Sequence, residues 1–290
     1  MINKIVAIAI LARDCEKKLR KNINEIEKLQ ENFQDCDIVV VENDSVDNTK
    51  QVLNEWKQRN KSVELITLDN VFINNERNGS SKNRIERMVY YRNQYLKYFY
   101  NTNRKYDYLI VIDIDVDRFN SKSLLKSIEN APSDWCGLFA NGRFYTKILG
   151  LTLLGKYYDN YAFVPANNTE TSLDFKEVKL NNDLVNKGTI LHKYFKCLSA
   201  FGGIAIYKFP CLKGLLYRAE PNNRSTYYKS ICEHVLFNDN LSKQGSLYIS
   251  RNMIVLYEKQ KILKCISSLF IIEHLVVFIH EVVLHKKYIR

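Results

Sequence analysis

The sequence predicts an α/β fold with a mostly parallel central sheet flanked by helices. Apolar, β-branched runs at 4–12, 37–41, 63–68 and 109–112 have the length and continuity of strands buried on both faces. Amphipathic stretches of helical spacing separate them, and strand–helix–strand units of this size wind right-handed onto a parallel sheet. The third observation is chemical. The run at 109–112 ends in Asp113, Asp115 and Asp117, alternating carboxylates at the strand end where open α/β sheets bind ligands.

In chain order, 4–12 is the first strand; its apolar run is short and Arg13-Asp14 follow at once, which suits a core strand better than a secretory segment. Leu19, Ile23, Ile26 and Leu29 give 14–33 one apolar helical face. The second strand, 37–41, runs into Glu42-Asn43-Asp44-Ser45-Val46-Asp47-Asn48-Thr49. Asp, Ser and Asn there suit a loop and the cap of a helix carrying Val52, Leu53 and Trp56. A third strand at 63–68 precedes an Asn-, Gly- and Ser-rich loop over 70–83. A helix over about 81–100 then carries Arg84, Arg87, Arg92 and Asn93 into the aspartate strand. For Arg84 and Arg87 the expectation is a solvated face.

Beyond the aspartates, Leu124, Leu125 and Ile128 mark a helix, 135–140 a strand, and 141–196 an irregular excursion. Gly202-Gly203 opens another strand, where backbone turns tightly or lets something approach closely. A helix at 232–241 and a last strand at 246–255 complete a domain over 1–258, with a nucleotide-binding half at about 1–118 and an acceptor half at about 119–258. The remainder, 259–290, reads as an amphipathic helical tail. Glu273, His274, His280 and Glu281 interrupt its apolar run, so it is not a membrane span. It packs on the domain, forms a homodimer, or lies on an anionic membrane surface with Lys286, Lys287 and Arg290 near lipid phosphates.

Composition narrows the chemistry. At 290 residues and 46% hydrophobic, the chain can bury a substantial core. Its net charge of +11 attracts polyanions without choosing among nucleic acid, nucleoside diphosphates and anionic lipid. The basic residues are scattered among 32 acidic ones rather than gathered in a patch, so no nucleic-acid partner is expected. Seven cysteines without a CxxC pair argue against a zinc site or disulfide framework and suit reduced thiols in the cytoplasm. Neither a GxGxxG nor a Walker loop is present.

Carboxylates a few ångströms apart repel one another, and a divalent cation makes the arrangement tolerable. Asp113 and Asp115 are therefore candidate ligands of Mn2+ or Mg2+, whereas Asp117 suits a capping or solvated role.

Taken together, these pieces resemble a nucleotide-sugar glycosyltransferase of the GT-A fold. The 41–49 segment sits where family 2 enzymes have an acidic loop after the second strand. Arg92-Asn93 matches their arginine–asparagine pair, and Asp113-Ile114-Asp115 their DXD motif. Ala140-Asn141-Gly142, Tyr157-Tyr158-Asp159, the 199–203 segment and Cys232-Glu233-His234-Val235 are more like capsule- and virus-type mannosyl- and rhamnosyltransferases. Where many family 2 enzymes carry Glu-Asp, this chain has Glu233-His234.

The resemblance implies a donor, UDP- or GDP-linked, contacted by Leu11, Ala12, Arg13, Glu42, Asp44, Arg92, Asp113, Ile114 and Gly203. It implies a metal on Asp113 and Asp115, with Asp115 the direct ligand. Arg92 reaches the diphosphate or braces the aspartate loop. His234 completes the metal shell or, in an inverting enzyme, takes the acceptor's proton; Glu233 orients the acceptor hydroxyl or serves as base. Tyr157, Tyr158 and Asp159 line the acceptor side, and Gly202 and Gly203 admit a sugar near the backbone. The acceptor is a glycan or lipid-linked hydroxyl of a surface polysaccharide, which puts the enzyme in the cytoplasm or at the inner face of the membrane. Two rivals are a nucleotidyltransferase, which should carry a Gly-rich, Lys-containing loop where Leu11-Ala12-Arg13-Asp14 stands, and a basic nucleic-acid-binding protein.

Overall fold

The computed structural model describes residues 2–72, 82–168 and 170–261. The first part of the chain alternates strictly: β1 (Ile2–Ala12), α1 (Glu16–Gln30), β2 (Phe33–Glu42), α2 (Thr49–Arg59), β3 (Val63–Thr67), α3 (Lys82–Asn101), β4 (Tyr108–Asp113) and α4 (Ser121–Glu129). A less regular series follows: β5 (Trp135–Ile148), β6 (Leu151–Tyr157), β7 (Val164–Pro165), α5 (Phe175–Leu191), β8 (Tyr194–Ser199), β9 (Ile204–Lys208), α6 (Phe209–Leu212), α7 (Glu233–Ser242) and β10 (Ser246–Lys259).

These strands make one sheet in the order β3-β2-β1-β4-β9-β5-β10-β8-β7, with β6 paired to β5. The block from β3 to β4 is parallel throughout, and β5 and β10 run in the same sense. Strand β9 slots antiparallel between β4 and β5, so it joins the two regions into one surface.

Period-two alternation along β1 divides the core between the two faces of the sheet. Val6, Ile8 and Ile10 meet Leu19, Ile23 and Ile26 of α1 and Trp56 of α2; Ala7 and Ala9 belong with Tyr91, Tyr95 and Phe99 of α3. Small residues on the α3 side leave room for that helix's aromatic rings. On the far face Trp56 is completely buried, with its indole N–H donating to Glu27 at 2.9 Å.

Three departures from the sequence reading have physical reasons. The stretch 141–196 is ordered: β5 continues to Ile148, turns into β6, and is followed by α5. Helix α5 hides from an apolar-periodicity reading because Asn181, Asn182, Asn186 and Thr189 lie on its buried face while Leu180, Leu184 and Leu191 are exposed. Strand β4 stops at Asp113 and the chain turns, so extended alternation does not continue to Asp117. Asp117 instead pairs with Lys18 and accepts hydrogen bonds from the Tyr145 hydroxyl and the Lys259 N–H. Third, β10 runs on to Lys259, past the expected end at 255. The helix expected over 259–290 falls, beyond Lys261, outside the described residues, as does 73–81 of the expected 70–83 loop. Among the described residues no helix is long and apolar enough to cross a membrane.

Trp56→Ala should cost about 3–5 kcal/mol, since the cavity lies between two helices that the sheet prevents from closing together. Denaturant unfolding measures it, and a loss below 1 kcal/mol would contradict the packing described.

Candidate active site

The strand order reverses at β1: the chain leaves it toward β2 on one side and later returns on the other as β4. Crevices outside the carboxyl ends of strands form at such switch points. Here the crevice is a cleft of about 390 Å³. Leu11, Ala12, Arg13 and Asp14 line it from the end of β1, Asn43 from β2, and Asp113 and Asp115 from β4 and its turn. Arg84, Arg87, Met88 and Tyr91 line it from α3.

Asp113 is the electrostatic centre. Burial pushes its carboxyl up to about 7, Arg92 pulls it down, and the neighbouring Asp115 and Asp159 push it further up. Its backbone N–H donates to the Gly203 carbonyl at 2.9 Å. The Arg92 guanidinium, 2% exposed, spans two acids: it donates to Asp113 Oδ1 and, through Nε, to Glu233 Oε1, each at 3.2 Å. Phe201 and Tyr217 rings sit 5.2 and 5.8 Å from its Cζ. Of the two roles expected for Arg92, reaching a diphosphate and bracing the aspartate loop, the bond to Asp113 is of the second kind.

His234 sits among aromatic rings. Its ring is 2% exposed, stacks on Phe201 at a centroid distance of 3.9 Å, and has neither nitrogen hydrogen-bonded among the described residues. Burial, with Arg92 and Arg84 adding to it, holds the imidazole well below its usual pKa, hence neutral. Among the described residues no three His, Cys, Asp or Glu side chains gather closely enough to hold an ion by themselves, so an Asp113–Asp115–His234 shell is not assembled.

The remaining expectations sort by placement. Ile114 is fully buried in the core, and its carbonyl accepts from Asn22 at 3.0 Å, so its side chain does not face the cleft. Glu42 is also fully buried and accepts the Ser45 N–H at 2.9 Å, while Asp44 accepts the Asn70 N–H at 2.7 Å; both brace loops at the cleft's edge. Asp159 is half-buried, accepts the Gly202 N–H at 2.9 Å, and is pushed by burial up to about 6. At Gly202 and Gly203, expected to admit a sugar near the backbone, the position a Cβ would take is filled by protein. A Cβ on Gly202 would sit 2.1 Å from the Ala140 carbonyl oxygen, and one on Gly203 2.9 Å from the Tyr158 hydroxyl.

Arg84 and Arg87 are the residues the sequence reading misplaced. Far from facing solvent, they line the cleft, and Arg87 is buried. Tyr91, one turn further along, was missed, although its i, i+4 spacing from Arg87 was a usable signal. Among the described residues its buried hydroxyl has no hydrogen-bond partner.

Residues 5–240 match the family model described as Cryptococcal mannosyltransferase 1. The chain belongs to the cryptococcal mannosyltransferase 1 family. That membership carries the expectation of a glycosyltransferase. No curated protein matches this mannosyltransferase-family chain in sequence. In fold it is similar to the mannosyltransferase PcManGT from Pyrobaculum calidifontis, solved with GDP-Man and Mn2+. The TM-score is 0.52 at 10% identity, over 88% of this chain and 57% of that one. Residues 1–349 of S. aureus TarS give a TM-score of 0.45 at 15% identity, over 88% and 60%. The family member described here thus spans under two thirds of the length of those structures. The GT-A fold expected from the sequence is the fold observed.

Arg92→Met should cost about 3–5 kcal/mol at pH 8, because it strands buried carboxylates without their shared cation. Asp113 already titrates above its unfolded value of 3.8, so its contribution favours the folded state at low pH and is lost as pH rises through about 7. Removing the arginine raises that pKa further. At pH 6 the stranded carboxyl takes up a proton, and the penalty shrinks. Urea unfolding at both pH values tests this; equal losses would show that Arg92 acts through packing alone.

Proposed function

We propose that the chain is a metal-dependent transferase that moves a sugar, mannose being favoured by its family, from a nucleoside-diphosphate donor to a hydroxyl of a glycan or lipid-linked acceptor. The observation that carries this reading is the cleft at the switch point, with carboxylates on one wall and arginines on another. A nucleotide donor held as a metal diphosphate requires both walls.

The residues present fit a divalent ion. Mg2+-type ions bind through one or two carboxylates and complete their shell with water and substrate phosphate. Asp113 and Asp115 supply that pair, and the raised pKa of Asp113 marks a site where negative charge lacks compensation. When bound, the ion neutralises charge developing on the departing diphosphate.

The chain's own residues do the rest. Arg84 and Arg87, at i and i+3 on α3, present planar donors suited to phosphate oxygens. The Tyr91 hydroxyl is placed to gain a polar partner when the cleft fills. Arg92 holds Asp113 in position and keeps Glu233 occupied, which removes Glu233 from the contest for the acceptor's proton. A buried neutral His234, walled by Phe201 and Tyr217, is likewise a poor proton acceptor. Asp159 is left: its carboxyl, raised to about 6, is ionised at neutral pH yet basic enough to take a proton from a hydroxyl.

Asp115→Ala should reduce sugar transfer by on the order of 100-fold or more while leaving the unfolding midpoint nearly unchanged. Full activity in that variant, or in excess chelator, would remove the metal from the mechanism. In a thermal-shift series, a nucleoside diphosphate with Mn2+ at 100 times its Kd should stabilise the protein by about 2.7 kcal/mol. Arg87→Met should weaken nucleoside diphosphate binding by about tenfold or more, with nucleoside binding unchanged. If neither GDP nor UDP shifts the wild-type protein, the donor assignment fails.

A further inference from the structure

The hairpin of β5 and β6 carries leucine where a solvated turn would carry a polar residue. Its two-residue tip, Leu149-Gly150, joins Ile148 to its cross-strand partner Leu151, and both tip residues have positive φ, 48° and 82°. Turns of that kind favour Asn or Asp at the first position and Gly at the second. Here the first position holds a leucine that is 99% exposed, so conformation and solvent both oppose it. Leu151, across the turn, is 70% exposed.

Charge around the tip is equally one-sided. The eight residues 148–155 contain no ionisable side chain, and Lys147 and Lys156, both exposed, close the run at either end. The nearest carboxylates along the chain are Asp134 before the hairpin and Asp159 after it. Asp117, which reaches the hairpin's root, is already taken up by Lys18 and the Tyr145 hydroxyl.

The hairpin also stands at the working edge of the sheet. Strand β5 is antiparallel to β9, and β9 to β4, so β5 and β4 end on the same edge, the one that carries Asp113. The Tyr145 hydroxyl donates at 3.1 Å to Asp117, two residues past Asp115, and β6 returns through Tyr157 to Asp159.

An uncharged apolar tip bracketed by cations suits the interface of an anionic bilayer, where leucine reaches the acyl chains while lysine stays at the phosphates. The spacing fits. Lys147 is two residues from Leu149, about 7 Å along a strand, against the roughly 5–10 Å to which interfacial segments sink. A second copy of the chain would cover the leucines less well, because an isologous contact sets the same carboxylate-free patch on both sides and gives the lysines no opposite charge.

We propose that the β5–β6 hairpin is a membrane anchor: Leu149 and Leu151 enter the interface of an anionic bilayer, with Lys147 at the lipid phosphates and Lys156 behind it. The contact stands on the hairpin alone; that it holds the cleft within reach of a lipid-linked hydroxyl rests on the transferase reading.

The test is sedimentation of the full chain with vesicles of phosphatidylglycerol and phosphatidylcholine in equal parts, without donor or metal, so that it is read apart from sugar transfer. Wild type should bind them, and bind phosphatidylcholine alone far more weakly. In the double variant Leu149→Asn, Leu151→Thr, asparagine suits the turn and threonine an exposed strand, so the unfolding midpoint should hold or rise. Vesicle binding should nevertheless fall by about tenfold or more. Lys147→Gln with Lys156→Gln should lower binding by a similar factor and make its salt dependence shallower. Three outcomes would overturn the inference. One is a wild-type chain that binds neither vesicle, or both alike. Another is undiminished binding in the leucine double variant, which assigns the membrane contact elsewhere in the chain. The third is a change of oligomeric state in that variant without vesicles, which assigns the tip to a second copy.

Discussion

One buried cation organises the site. Arg92 reaches from α3 to Asp113 at the end of β4 and Glu233 at the start of α7, so three elements distant in sequence share one set of charge-assisted bonds. Each charge taken out of water costs several kcal/mol, recovered only while the geometry holds. The flat rings of Phe201 and Tyr217 near the guanidinium help to fix it. The consequence is a carboxylate, Asp113, whose orientation is set before any ligand arrives. Preorganised charge of this kind costs no rearrangement during a reaction.

The turn after Asp113 is held just as firmly, though from the opposite face of the sheet. Asn22 of α1 donates to the carbonyls of Ile114 and Val116, and Lys18 pairs with Asp117. Ile114 and Val116 are buried, so the turn is pinned on both sides of Asp115 while Asp115 itself projects outward, exposed. Asp113 and Asp115 thus differ in kind. Asp113 is part of a buried ion-pair network, and Asp115 is the more accessible carboxylate at the cleft.

The parallel half of the fold was legible in the sequence because β1, β2 and β4 each carry an unbroken apolar run, and α1 and α2 carry simple stripes such as Leu19, Ile23, Ile26 and Leu29. The strand end bearing Asp113 and Asp115 was legible for the same reason. What escaped was decided by tertiary structure. Arg87 on α3 reads as solvated because arginine usually is; only the crossing of α3 over the switch point turns it into the cleft. His234 reads as a ligand or base because of its chemistry, yet its surroundings are aromatic. Helix α5 escaped because its buried face mixes Val178 and Val185 with Asn181, Asn182, Asn186 and Thr189, which blurs the apolar stripe by which helices are found.

Gly202 and Gly203 were likewise read as room for a ligand, and a Cβ there would meet the Ala140 carbonyl oxygen and the Tyr158 hydroxyl; Gly142 packs on the same tyrosine. A Cβ on Gly142 would lie 2.4 Å from Tyr158 Cε1, so the Tyr158 ring seats directly on this backbone. Its other face stacks on Tyr257 of β10, with ring centroids 3.9 Å apart and planes 5° apart. Asp113, Asp115 and Asp159 all push the Tyr158 hydroxyl's pKa further up, on top of burial, so both rings sit in the field of the carboxylates. A layered wall of glycine backbone and two tyrosines is rigid and apolar, and it stands beside the acids rather than among them. Neither ring lines the cleft that the arginines of α3 border; the stack joins the end of β6 to β10. With Gly142 against it on one side and Tyr257 stacked on the other, the Tyr158 ring is held from both sides, so its work here is to fix β10 against the end of β6 next to the carboxylates.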